Sequence, residues 1–145
     1  MLQATPAAHA IAQHLLAYEA TRGTPAEPPG QAAVRACEQL RVMLSQLVGV
    51  AGFRSLLTRA LTLAKRDVPW LASVEVTGDG ALKGFGEGAQ AQHPAAAAGG
   101  HALLAQLLGL LHTLIGEALT VRLLAGAWPV IAFDPSPPGR QENAR

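Results

Sequence analysis

The sequence has few charged residues, few aromatic residues and only one cysteine. Asp, Glu, Lys and Arg make up 14% of its 145 residues, against about 25% in typical soluble domains. Only 4% of the residues are aromatic although 50% are hydrophobic, so a core must be built mainly from Leu, Val and Ala. The single cysteine, Cys37, excludes an intrachain disulfide. Its place on an apolar stripe predicts a small buried hydrophobe rather than a nucleophile.

The formal net charge of +1 is too small to attract nucleic acid by bulk electrostatics, and it protects little against self-association. The first six residues contain no basic segment and no long apolar run, so no secretory signal is expected. With one cysteine, this predicts a cytoplasmic protein. The bias toward Ala, Leu, Gly and Arg suggests a bacterial source.

Three amphipathic helices are predicted in the first half of the chain, over residues 6–20, 31–48 and 53–66. Thr5 is suited to cap the first helix, with Pro6 at its first position. Residues 49–52 contain two glycines and indicate a tight connection or a kink between the second and third helices. Pro69 closes the third helix, because the residue before a proline is pushed out of the helical region.

Residues 73–85 differ in character, since Val74 and Val76 alternate with polar residues before the turn signal Gly78-Asp79-Gly80. This pattern predicts a short β-hairpin. Residues 86–100 consist mostly of Ala, Gln and Gly and indicate a linker.

One very apolar helix, His101–Leu124, is predicted to dominate the C-terminal part. Leucines cover most of its circumference, so it is either a central core helix or a membrane span. Glu117 and Arg122 interrupt its second half, and the uncharged part is shorter than the ~20 residues that a span needs. A core helix is therefore expected, and no membrane span.

Together these elements predict an all-α fold, a bundle of four main helices around the central apolar C-terminal helix, with a small β-hairpin. Residues 1–133 form one domain in this interpretation, and residues 134–145 form a disordered tail.

No constellation for catalysis, cofactor binding or metal binding emerges. The histidines do not fall at the i, i+3 or i+4 spacing of a helical metal site, which is true of all five: His9, His14, His93, His101 and His112. The glycines between residues 78 and 88 lack the strand-to-helix setting of a nucleotide loop. We therefore expect no enzyme, no cofactor and no metal site.

Low charge together with an unusually apolar helix predicts a non-enzymatic interaction or regulatory module that binds itself or a larger protein. The candidate contact residues are Trp70, His112, Glu117 and Arg122. One alternative is a helix-turn-helix-like DNA-binding regulator with phosphate contacts from Arg54, Arg59, Lys65 and Arg66. Another is a small-molecule sensor with an apolar pocket.

Three segments carry a resemblance: Gly52-Phe53-Arg54-Ser55-Leu56-Leu57, Val68-Pro69-Trp70-Leu71 and Leu114-Ile115-Gly116-Glu117-Ala118-Leu119-Thr120. They are similar to segments of short all-helical bacterial hypothetical proteins. That group has no assigned activity, so the resemblance implies a helical fold and no particular function.

Overall fold

The computed structural model describes residues 5–24, 27, 30–91, 96–129 and 131. Within these residues the chain forms five α-helices: α1 (Pro6–Arg22), α2 (Gln31–Asp67), α3 (Phe85–Ala91), α4 (Ala96–Ile115) and α5 (Glu117–Ala127). A 3-10 turn (Pro69–Ser73) follows α2, and β1 (Glu75–Val76) then pairs antiparallel with β2 (Leu82–Lys83). The predicted all-α fold with a small hairpin is confirmed.

Local signals set several of these boundaries. The Thr5 hydroxyl accepts a hydrogen bond from the Ala8 amide at 3.1 Å, and Pro6 opens α1, as the sequence predicts. At the end of α2, Val68 is extended before Pro69. In the hairpin, Glu75 lies opposite Lys83 across the two strands. At the start of α1 and the end of α2, the boundaries are therefore those that the sequence predicts.

Helix α2 is sharply kinked at Gly49, which has φ 83° and ψ 164°. A Cβ atom on Gly80 would lie 3.0 Å from the Phe53 ring and 3.4 Å from the Arg41 side chain. In a straight helix the Cα atoms of residues 41 and 53 would be about 18 Å apart. The two halves, residues 31–48 and 50–67, therefore both reach the hairpin turn. The predicted kink between residues 49 and 52 is confined to Gly49.

The predicted single helix His101–Leu124 is wrong, because the chain breaks at Gly116. There φ is 90° and ψ is 156°, a conformation that a right-handed helix cannot contain and that glycine adopts without a steric penalty. Helix α4 also begins earlier, at Ala96, and ends at Ile115, while α5 continues to Ala127. Apolar periodicity runs across the break and therefore conceals it.

The predicted linker over residues 86–100 is also wrong for most of its length. Residues 85–91 form α3 and residues 96–100 begin α4, while residues 92–95 lie outside the described residues. The reason is close packing by small residues. A Cβ on Gly88 would lie 2.8 Å from the Trp70 ring, and one on Gly100 would lie 2.7 Å from the Ala33 Cβ. Glycine thus lets α3 and α4 approach their neighbours more closely than other residues allow.

Helix α4 is the centre of the bundle and packs against α1, α2, α3 and α5. Four leucines of α4 are fully buried: Leu103, Leu104, Leu107 and Leu108. Burying one leucine side chain stabilises the folded state by roughly 1.5–3 kcal/mol relative to leaving it in water. The expectation of a central apolar core helix thus holds for this segment. The predicted tail, residues 134–145, lies outside the described residues.

The break at Gly116 yields a direct test. Gly116→Ala is expected to lower the free energy of unfolding by about 1–2 kcal/mol, because a side chain at this positive φ is strained. Gly126 is the matched control, since it also has open space around it but lies inside α5 without a positive φ. Gly126→Ala should raise stability by about 0.4–1 kcal/mol. Urea denaturation followed by circular dichroism measures both, and equal effects of the two variants would contradict the assigned break.

Candidate interaction surface

Six large apolar side chains are exposed in the part of the chain that the structure describes, with exposed fractions from 42% to 63%. Five of them lie within three residues of Gly49 or Gly116, and the sixth, Val42, precedes Gly49 by about two helical turns. We call this set the apolar end surface: Val42, Leu47, Val48, Val50, Leu114 and Leu119. Exposed apolar side chains are ordinary when scattered, but clustering calls for an explanation.

Both breaks lie at the same distance from a contact between α2 and α4. Gly100 of α4 lies beside Ala33 of α2. Each helix continues for sixteen residues from this contact to its break at Gly116 or Gly49. Because both helices rise about 1.5 Å per residue, each break lies about 24 Å along its helix from the contact.

Helices α2 and α5 pack antiparallel, since residues 39–46 of α2 and 122–127 of α5 line one groove. The Gln39 side chain donates from Nε2 to the Ala127 carbonyl oxygen at 3.2 Å, which pairs the end of α5 with the early part of α2. Following this register back along α5 brings Gly116 opposite Val50. We infer that the two breaks are adjacent and that the exposed apolar side chains of both share one end of the bundle; the equal distances of the two breaks from the Gly100–Ala33 contact agree with this.

A groove of about 470 Å³ runs from this end along the seam between α2 and α5. Its walls combine polar and apolar side chains from both helices: Gln39, Val42, Met43, Gln46, Arg122, Leu123, Gly126 and Ala127. Val42 belongs to both the groove and the apolar end surface. The groove therefore extends that surface along the side of the bundle.

Three of the four predicted contact residues lie near the Gly116 break. Glu117 is exposed in the first turn of α5, where a carboxylate is favoured by the helix dipole. Arg122 is exposed and lines the groove. His112 is half-buried, and its Nε2 atom has no hydrogen-bond partner among the described residues. Burial lowers the pKa of His112, and Glu117 partly opposes that effect.

Trp70, the fourth predicted contact residue, lies elsewhere. Its indole is partly buried and packs against the Phe85 ring, with 5.5 Å between ring centroids, and against Gly88 and Gly99. Trp70 therefore anchors the 3-10 turn onto α3 and α4, as a core-facing residue, and does not join the apolar end surface.

The four basic residues predicted for nucleic acid do not form one stripe. Arg54, Arg59 and Arg66 are exposed and Lys65 is half-buried. At 100° per residue, Arg59 and Arg66 share a face while Arg54 diverges by about 140°. The first two turns of this half of α2 carry the buried side chains of Phe53 and Leu57. Its inner face is thus occupied by the core, whereas a recognition helix presents polar side chains there.

A buried carboxylate holds the opposite end of the bundle together, and sequence reasoning missed it. Glu19 is fully buried and accepts hydrogen bonds from Trp128 Nε1 at 2.9 Å and from Arg35 Nε at 3.2 Å. The Arg22 Nη1 atom lies 3.6 Å from Glu19 Oε2. Arg35 also pairs with the Glu27 carboxylate and donates to the Glu19 carbonyl oxygen. The cluster joins α1, α2 and the end of α5. One signal points to it, since Glu19 continues the spacing of Ile11 and Leu15.

Two histidines that are 92 residues apart also meet. His9 Nδ1 of α1 lies 2.9 Å from His101 Nε2 of α4, and the ring planes differ by 17°. Spacing along one helix cannot reveal such a pair. Among the described residues there is no group of three or more His, Cys, Asp or Glu side chains that could hold a metal ion. Cys37 is buried, and burial raises the pKa of its thiol to about 12.

In the part of the chain that the structure describes, two helical stretches are long and apolar enough to cross a membrane, judged by length and composition alone. They are Gln31–Asp67, whose most apolar window is 28% buried, and Ala97–Ile115, whose window is 61% buried. The charges that argue against a span in the sequence, Glu117 and Arg122, lie beyond the Gly116 break and outside α4. The absence of a membrane span thus stays a prediction, and the buried leucines of α4 are its support.

Comparison with protein-family models, with curated proteins and with solved structures finds no match. The resemblance to short all-helical bacterial proteins therefore stays a prediction, as do the bacterial source and the cytoplasmic location. The geometry of the described residues is therefore the basis of the function proposed below.

The Glu19 cluster yields a second test. Glu19→Ala is expected to lower the free energy of unfolding by about 3–5 kcal/mol, because Arg35 and the Trp128 indole lose their buried partner. Glu38→Ala is the control, since it removes another Glu–Arg pair, with Arg41, whose side chains are 45% and 31% exposed. That change should cost at most about 1 kcal/mol. Equal decreases in the free energy of unfolding for the two variants, measured by urea denaturation, would show that burial of Glu19 adds no stability beyond that of an exposed Glu–Arg pair.

Proposed function

We propose that this chain is a non-enzymatic interaction module that docks through the apolar end surface, onto itself or onto a larger protein. The observation that carries the proposal is the grouping of six exposed large apolar side chains around two helix breaks at one end of the bundle. Polar side chains at these positions would cost folding comparatively little, because the six are already 42–63% exposed. Binding a partner gives a reason for keeping them apolar.

The extent of the surface fits a reversible contact. At about half exposure, six Val and Leu side chains present roughly 500 Å² of apolar area, within the range of surface patches that are often functional. A standard interface buries about 800 Å² per partner, so the α2–α5 groove must contribute the remainder. Few charges oppose the approach, since the net charge is only +1.

The charges beside the apolar end surface favour a second copy of the chain as partner. Glu117 and Arg122 are both exposed, and neither makes an ion pair within the part of the chain that the structure describes. In a two-fold symmetric dimer, one patch meets itself. Glu117 of one copy can then face Arg122 of the other, and Arg122 can face Glu117 in turn.

Self-association is tested by sedimentation equilibrium between about 1 and 200 μM. The wild type should form dimers. Leu47→Glu or Leu114→Glu should raise the dimer dissociation constant at least about tenfold, because each buries a charge in an interface from which water is excluded. Ala10→Glu is the matched control, since Ala10 is exposed on α1, a helix that contributes none of the six residues. It should leave the dimer unchanged.

Charge exchange tests the proposed orientation. Glu117→Arg and Arg122→Glu should each weaken the dimer, and the double variant should restore it, because the pairing is re-formed with reversed sign. A wild type that is monomeric at every concentration would rule out self-association and leave a different protein as partner. Dimers that survive both leucine substitutions would place the contact elsewhere.

Nucleic-acid binding is the second candidate, supported by exposed Arg54, Arg59 and Arg66 without ion pairs among the described residues. Arg59 and Arg66 share a helical face, so Arg59→Ala and Arg66→Ala should each weaken binding to a labelled DNA duplex, and binding should fall steeply between 50 and 200 mM salt. Fluorescence anisotropy measures this. Absent or salt-independent binding would reject the candidate.

A further inference from the structure

We propose that His9 and His101 together bind a divalent transition metal ion of the kind that imidazole prefers, namely Cu²⁺, Ni²⁺ or Zn²⁺. The two rings come from α1 and from the central helix α4, and their facing nitrogens lie 2.9 Å apart. By the usual order of affinities, Cu²⁺ should bind most tightly. This site is separate from the proposed interaction surface and does not depend on it.

The ring geometry shows two nitrogens directed at each other. The centroids lie 5.0 Å apart and the planes differ by 17°. Each ring nitrogen lies about 1.1 Å from the centroid of its own ring. With the two nitrogens at hydrogen-bond distance, the centroids can therefore be at most about 5.1 Å apart, and the observed distance is close to that limit. The imidazoles therefore lie end to end and nearly coplanar. One ring donates its N–H and the other accepts, so a single proton is shared between two basic positions.

A metal ion can take the place of that proton. Metal–imidazole nitrogen bonds are about 2.0–2.1 Å long, and two nitrogens in adjacent positions of the square-planar geometry of Cu²⁺ or Ni²⁺, 90° apart, are separated by about 2.9 Å. The observed nitrogen separation thus already matches two adjacent coordination positions. What remains is a rotation of the rings that turns both lone pairs toward one point, and the exposed position of His9 allows it. Water molecules complete the coordination.

Protons compete with a metal ion at this pair, because a metal ligand must be a neutral imidazole. Two protonated rings at this separation would repel each other. Burial, and to a lesser degree the neighbouring His9, lower the pKa of His101.

Metal binding here would connect parts of the chain that are 92 residues apart. The unfolded chain does not hold His9 and His101 together, so the ion binds the native state preferentially and stabilises it. Thermal unfolding is therefore a readout that needs no knowledge of the protein's activity. It also distinguishes a bridge between two helices from loose binding to one side chain.

The experiment uses tag-free full-length protein with CuCl₂, NiCl₂ or ZnCl₂ added separately. Each metal is titrated while the midpoint of thermal unfolding is followed. We expect the midpoint to rise by several degrees for the wild type, most with Cu²⁺. His9→Ala and His101→Ala should each weaken binding at least about tenfold, the loss typical when part of a metal site is removed.

His14→Ala is the matched control, because His14 is exposed on α1 but lies about 140° around the helix from His9. It should bind metal as the wild type does. Histidine side-chain resonances in NMR spectra provide a second readout, with Zn²⁺ expected to shift the ring signals of His9 and His101 and of no other described histidine. Unchanged thermal midpoints, or binding that survives both His9→Ala and His101→Ala, would overturn the proposal.

Discussion

The architecture depends on two glycines that hold positive φ angles, Gly49 at 83° and Gly116 at 90°. A side chain at either position would strain the backbone, so the helix must stop there and restart in a new direction. Gly49 bends α2, so that both of its halves reach the hairpin turn, and Gly116 separates α4 from α5. The register between α2 and α5 brings the two breaks together at one end. The apolar residues beside the breaks are left 42–63% exposed.

The other end of the bundle is closed by a different interaction. Glu19 is buried together with Arg35 and Trp128, and Arg35 lies about 21 Å along α2 from Gly49. Buried charges of this kind are costly unless they are paired and hydrogen-bonded, so the cluster favours one arrangement of α1, α2 and α5. The bundle therefore has one end held by a polar cluster and one end that is apolar and open.

The two proposed binding sites lie toward opposite ends of the bundle. The apolar end surface belongs to the breaks, whereas His101 lies at the start of α4, about 22 Å along the helix from Gly116. Substitutions at Leu47 or Leu114 should therefore leave metal binding intact, and substitutions at His9 should leave association intact. Helix α4 links the two sites directly, because it carries His101 near one end and Leu114 near the other.

Local chemistry in the sequence determined the cap at Thr5, the end of α2 before Pro69, the hairpin turn at Gly78-Asp79-Gly80 and the apolar faces, because each depends on residues close along the chain. Tertiary structure alone decided the rest. Apolar periodicity passes through Gly116 without interruption, so it conceals the break. Helix α3 packs against the Trp70 ring because Gly88 has no side chain to collide with it. Glu19 with Trp128, and His9 with His101, are pairs about a hundred residues apart. Only the packing of helices brings such residues together, and no local pattern encodes their distance.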